Sequence, residues 1–286
     1  MDLAKRPAVT ALGLDVAHRV NAERVVLLGW GRAILLQLAH PLVAAGVAEH
    51  SSFRDGGLAA AKRLHLTVRA MLALTFGNAE QREAALQGIR AIHRRVHGRL
   101  QAAAGRFAAG TPYSAEDPDL VLWVHATLLD SIPLIYERAV RPLSNVDRDA
   151  YCEDAAIIAI DLGARADEIP RTSDALATYM AQMYGSGRIA VSAQARELAS
   201  AVLAPPFARL VAPAAWINRV VTVGLLPSPV REGYGFRWTP ADDRTLARVT
   251  AGIRAVRRLT PAAAALWPDA FSGRRWRRLP ADTPAP

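Results

Sequence analysis

The chain has 286 residues, 51% of them apolar and 21% charged, with a formal net charge of +9 and one cysteine. That length can bury a substantial core, and the apolar share excludes a disordered chain. Cys152 alone cannot form an internal disulfide, so a reducing cytoplasm is the expected compartment and a packed thiol, not a nucleophile, the expected role. The positive excess is arginine scattered along helical segments plus the cluster Arg274, Arg275, Arg277 and Arg278. It lacks the dense stripe with interleaved aromatics of a nucleic-acid surface, and no nucleic-acid partner is expected.

Residues 1–20 contain no unbroken apolar stretch and read as an N-terminal extension. Asn21 opens an apolar run through Val25, Leu28, Ile34, Leu35 and Leu38 that Pro41 stops. The stretch 28–48 has the length of a bilayer span, but Arg32, Gln37 and His40 lie inside it and Pro41 breaks it. A helix pair in a bundle fits better, so no integral span is expected, with peripheral membrane contact left open. The next helix is expected over 58–76, ended by a left-handed Gly77. Asn78 caps a further helix, which runs through Leu86, Ile89 and Ile92 to about Val96.

The alanine- and glycine-rich stretch 102–112 reads as a loop. Ser114 and Asp117 resemble a capping box, with Pro118 in the first turn of a helix that carries Leu122, His125, Leu129 and Leu134. Helices follow over 145–162, 172–184 and 192–203. A proline-broken apolar stretch, 205–229, has Trp216 and Leu225 as anchors, and an amphipathic helix spans 240–259. No Gly-rich phosphate loop and no strand–turn–helix signature occurs. The expected fold is all-α, a single multi-helix domain over 21–268. A basic, proline-rich tail over 269–286 is expected to be disordered.

All seven histidines fall in the first 125 residues, and five of them, His40, His50, His93, His97 and His125, sit in helical segments that can face one another. Arg32, Arg63 and Asp130 share those stretches. Imidazole is the commonest protein ligand for iron and zinc and the usual acid or base near neutral pH, so the chemistry is expected in the N-terminal half. The competing reading is a set of ordinary buried histidines, each with a hydrogen-bond partner. His93 and His97, four apart, would share a helix face, but Arg94 stands where the zinc-protease pattern needs glutamate. His125 with Asp130 and Glu137 is a second arrangement for a metal, without the paired Glu-x-x-His of di-iron bundles. Arg63 and Thr67, also four apart, suit contacts to an anion or to oxygen.

Gly31-Arg32-Ala33, Gln37-Leu38-Ala39-His40-Pro41 and Gly46-Val47-Ala48-Glu49-His50-Ser51 resemble the opening of the DUF2236 family. That family comprises the rubber oxygenase (latex-clearing protein) catalytic domain and the MpaB-type oxygenases. The likeness continues in Leu74-Thr75-Phe76-Gly77, His93-Arg94-Arg95-Val96-His97-Gly98, Tyr113-Ser114-Ala115-Glu116-Asp117-Pro118 and Leu122-Trp123-Val124-His125-Ala126-Thr127. It runs on through Leu128-Leu129-Asp130-Ser131 and Tyr136-Glu137-Arg138, over roughly residues 20 to 240.

The resemblance implies a buried, haem-sized pocket between helices, b-type haem held without covalent attachment, and O2 as co-substrate. Oxidative cleavage of an isoprenoid-like double bond in a hydrophobic small molecule is the implied reaction. By position, the family's proximal iron ligand falls on His93, and its Arg-x-x-Lys-Thr segment falls on Arg63 to Thr67 with Leu66 at the lysine. The distal side is therefore open or served by His65 or His97. Arg63, Thr67, His97 and His125 are the expected catalytic residues; His93, Arg63, Arg32, His40 and His50 are expected around the cofactor. Two alternatives stay open: a non-haem metal enzyme using His93, His97 and His125, or a non-catalytic haem- or lipid-binding protein.

Overall fold

A computed structural model describes residues 16–50, 57–203 and 212–272, with the side chains of all but 57–64 and 272. Helices dominate: α1 (Val16–Asn21), a 3-10 turn (Arg24–Leu27), α2 (Leu28–Leu38), α3 (Pro41–His50), α4 (Gly57–Phe76) and α5 (Ala79–His93) form the N-terminal part. A two-stranded antiparallel pair, β1 (His97–Arg99) and β2 (Pro112–Ser114), sets Gly98 opposite Tyr113. There follow α6 (Pro118–Ala139), α7 (Asn145–Asp161), α8 (Ser173–Gly185), α9 (Ala193–Leu203), α10 (Ala212–Gly224), α11 (Ser228–Gly233), α12 (Pro240–Leu259), α13 (Ala262–Ala265) and α14 (Asp269–Ser272). The all-α expectation holds.

Helices α2 and α6 are the central pair, and their facing residues Leu35, Leu36, Trp123, Ala126 and Leu129 belong to one core. Two glycines of α2 permit that approach. A Cβ on Gly29 would lie 2.9 Å from the Ser131 carbonyl oxygen, and one on Gly31 would run into the Thr222 hydroxyl of α10. The apolar α6 has the length and composition of a membrane span, yet 67% of its most apolar stretch is buried inside the fold. The other candidate span bends by 106° between α2 and α3, because Pro41 cannot continue the α2 backbone pattern.

Several local expectations are corrected. Asn21 ends α1 instead of opening α2, and α1 buries Val16, Ala17 and Val20. Gly77 is absent from the positive-φ glycines; a Cβ there would strike the Ala73 carbonyl oxygen, so close approach requires it. Asp117, not Ser114, caps α6, accepting from the Asp119 amide at 2.9 Å, while the Ser114 hydroxyl accepts from the Glu116 amide. Part of the proline-broken stretch is the regular helix α10, and Trp216 on it is half exposed and anchors nothing. The Asn78 cap is as expected: it forms a reciprocal box with Gln81. At the C-terminal end, α14 seats Ala270 beside Ala22 and Phe76; the expected disorder of the tail's remaining residues, 273–286, lies outside the described residues.

Candidate functional site

Along α2 and α6 the apolar seam is interrupted by a buried cation. Arg32 is 5% exposed; its Nη1 donates to Ser131 Oγ at 2.7 Å and pairs with Asp130 Oδ2 at 2.7 Å, and its Nε donates to the Leu225 carbonyl at 2.7 Å. One guanidinium thereby ties α2 to α6 and to the end of α10, the geometry a planar fork of donors suits. One turn on, Gln37 Nε2 donates to Thr127 Oγ1 at 3.1 Å. The Tyr184 phenol lies near the pair: burial, then the Asp130 charge, push its pKa up, against Arg32. Its hydroxyl and the Trp123 indole N–H are buried without hydrogen-bond partners, and their rings meet edge-on at 6.3 Å.

Two imidazoles are held neutral. His40, between α2 and α3, is 2% exposed and lies against the Phe107 ring at 5.1 Å. Burial, with Arg188 adding to it and Asp119 opposing, pushes its pKa down to about 4. His125 on α6 is also pushed down to about 4, by burial alone. Nδ1 of His40 and Nε2 of His125 are buried without partners.

His93 and His97 do not share a helix face. Helix α5 ends at His93; Val96 then donates back to the His93 carbonyl, and the chain turns into β1. His97 is exposed on that strand, where its carbonyl meets His50 Nε2 at 3.0 Å and the two rings lie 6.4 Å apart. Beside them the Tyr113 hydroxyl donates to Glu49 Oε2 at 2.5 Å, and Gly98 leaves no room for a Cβ against that phenol. His50 and His97 therefore pin the strand pair to the end of α3 on an exposed face.

His93 stands apart, half-buried at the end of α5. Burial holds its pKa below the ordinary imidazole value, against the charge of Glu116, and it has no hydrogen-bond partner among the described residues. Helices α4 and α5 pack together across a turn of only Gly77 and Asn78. Arg63 lies on α4, its side chain outside the described ones. Thr67 and Leu66 follow on α4, both exposed, Leu66 at 54%.

No group of three or more His, Cys, Asp or Glu able to hold a metal occurs among the described residues. The three-histidine arrangement fails because β1 removes His97 from α5, and the metal–carboxylate arrangement fails because Asp130 pairs with Arg32 and Glu137 with Arg148. His93 remains as a single imidazole donor held neutral by burial, a donor of the kind that could hold a haem iron. Cys152 is buried, its thiol pushed up to about 12 by burial and Asp149, as a packed thiol should be.

Between the 3-10 turn, α2, α4 and α6 lies a small apolar cleft, walled by Leu27, Trp30, Val68, Met71, Ile132 and Trp267. Its polar side chains are spoken for: Asn21 Oδ1 accepts from the Tyr151 hydroxyl, and Thr75 donates to the Met71 carbonyl. The cleft therefore offers a ligand carbon surface and little else.

Residues the sequence reading did not single out are Ser131, Thr127, Trp123, Tyr184 and the Glu49–Tyr113 pair. Trp123, Thr127 and Ser131 recur every four residues, a polar line along an apolar helix that was there to be found. Tyr184 carried no such signal.

The family model described as "ER-bound oxygenase mpaB/B'/Rubber oxygenase, catalytic domain" matches residues 18–255. No curated protein and no solved structure matches the chain.

Proposed function

The chain belongs to the MpaB and rubber oxygenase catalytic-domain family, and from that premise we propose a haem-b-dependent oxygenase that acts with O2 on a hydrophobic small molecule. The observation that supports the cofactor assignment is His93: an imidazole kept neutral by burial, without a hydrogen-bond partner for its ring among the described residues, at the end of α5. His93 would hold the iron through a ring nitrogen, which must be deprotonated to coordinate. Arg63 would supply a fork of donors matched to a haem propionate. Bound haem supplies the activation of O2.

Thr67 would offer a hydroxyl for contact to oxygen, and Leu66, where the rubber oxygenases carry lysine, would supply no competing amine. His125 stays neutral through the working pH range and would serve there as a proton acceptor. Arg32 and Asp130 position α2 against α6 without touching substrate. The family supports a hydrophobic substrate, and the reaction proposed is cleavage of an isoprenoid-like double bond to two carbonyl ends; the small apolar cleft along α4 offers carbon surface beside it.

The test is the visible spectrum of protein produced with haem precursor, beside His93→Ala and His125→Gln. A Soret band that His93→Ala abolishes or shifts, and His125→Gln preserves, is expected. Absence of the band in the unsubstituted protein would remove the haem assignment. The carbon-lined cleft also favours a second reading, a lipid-binding protein without turnover. It would retain an apolar chain yet consume no O2 with any isoprenoid offered.

A further inference from the structure

Helix α12 packs one face inward: Leu246, Val249 and Ile253 lie against Ile135 of α6 and against α10. On its flank, Arg254 donates to the Glu137 and Arg138 carbonyls, and Arg257 grips Glu23 through both carboxylate oxygens at 2.6 Å. The outward face is of another kind. Arg244, Arg248 and Arg258 are exposed and have no acidic partner among the described residues. Between and beyond them stand Val256, 65% exposed, and Leu259, 86% exposed. Two bare aliphatic side chains three residues apart, set among unpaired guanidiniums, satisfy neither water nor the core.

The same end of the molecule carries more of this chemistry. Arg257 and Glu23 join α12 to the turn before α2, where exposed Arg24 lies 5.2 Å over the Trp267 ring. Of the acidic groups here, Glu23 is neutralised by Arg257, and Asp269 sits at the start of α14. Asp242 and Asp243 lie at the opposite end of α12, bonded to Thr239 and Trp238. In sequence the chain beyond α14 adds Arg274, Arg275, Trp276, Arg277 and Arg278.

We propose that the C-terminal half of α12 docks the protein on an anionic lipid surface. Val256 and Leu259 enter the headgroup layer, while Arg248, Arg258 and Arg24 lie against lipid phosphates. Charge complementarity selects this occupant. A second copy would bring a like-charged face against this one and bury far less than the roughly 1,200 Å² of a stable interface. Nucleic acid would leave the two aliphatic side chains unused. Trp267 and Leu27 of this end also line the small apolar cleft. The docking itself stands independently of the haem assignment.

The experiment is flotation of the full chain with vesicles of phosphatidylcholine alone, or of phosphatidylcholine with phosphatidylglycerol. Binding to the anionic vesicles only, reversed by about 0.5 M salt, is expected. The variants Arg248→Glu/Arg258→Glu and Val256→Asn/Leu259→Glu should each lower partitioning by about ten-fold or more. Their melting should be unchanged, since these side chains make no intramolecular bond. Failure to float, equal binding to both vesicles, or undiminished binding of either variant would overturn the proposal. So would a dimer that Leu259→Glu dissolves in the absence of vesicle binding, or salt-sensitive capture of duplex DNA in preference to vesicles.

Discussion

Lowering the pH from 7.5 to 5 should destabilise this protein through two histidines far from its surface. His40 and His125 are 2% and 8% exposed, and burial pushes both from the ordinary 6.5 down to about 4. A depressed folded-state pKa means that the unfolded chain binds the proton first. The stability is complete above pH 6.5 and falls as pH drops from there towards 4. At pH 5 an imidazole with those two values costs about 2 kcal/mol, so the pair costs about 4 kcal/mol. The cost is not discounted for screening, because neither ring is reached by water. Asp147, Asp149 and Asp242 have lowered pKa values, and their contribution is lost only at more acid pH, outside this window. Urea unfolding of the full chain at pH 7.5, 6 and 5 measures the slope directly. His40→Asn/His125→Asn, whatever its stability at pH 7.5, should lose much less of it on acidification than the parent, the remainder coming from His93, whose pKa burial also lowers, and each single variant should fall between the two. A double variant with the parent's slope would refute the argument from burial.

Two further perturbations test the central seam. Asp130→Asn leaves the buried Arg32 guanidinium with only Ser131 and the Leu225 carbonyl, a loss of about 3 kcal/mol in urea unfolding. In an Arg32→Met background the same substitution should cost under about 1 kcal/mol; equal costs would mean that the pair is not coupled. Gly31→Ala drives a methyl into the Thr222 hydroxyl and should cost about 1–3 kcal/mol, most of it recovered in Gly31→Ala/Thr222→Ala. No recovery would place the strain elsewhere than at that contact.

The amino-acid sequence by itself determined the helices, because their signals are local. Asn78 with Gln81, Pro118 in the first turn of α6, Thr172 before α8 and the apolar spacing of α12 each act within one or two turns. It also determined the family, through short blocks whose order is itself sequence. Tertiary structure decided which polar groups meet. His93 and His97 look like one helix face at a spacing of four, yet a strand pair held by Tyr113 and Glu49, 64 residues apart, draws His97 away. Arg32 reads from the sequence as a residue around the cofactor; the fold shows that Asp130, Ser131 and Leu225, up to 193 residues distant, hold its guanidinium. That Nδ1 of His40 and Nε2 of His125 find no hydrogen-bond partner among the described residues has the same origin. Whether an imidazole finds a partner, and so whether it is neutral, depends on long-range packing that no local pattern encodes.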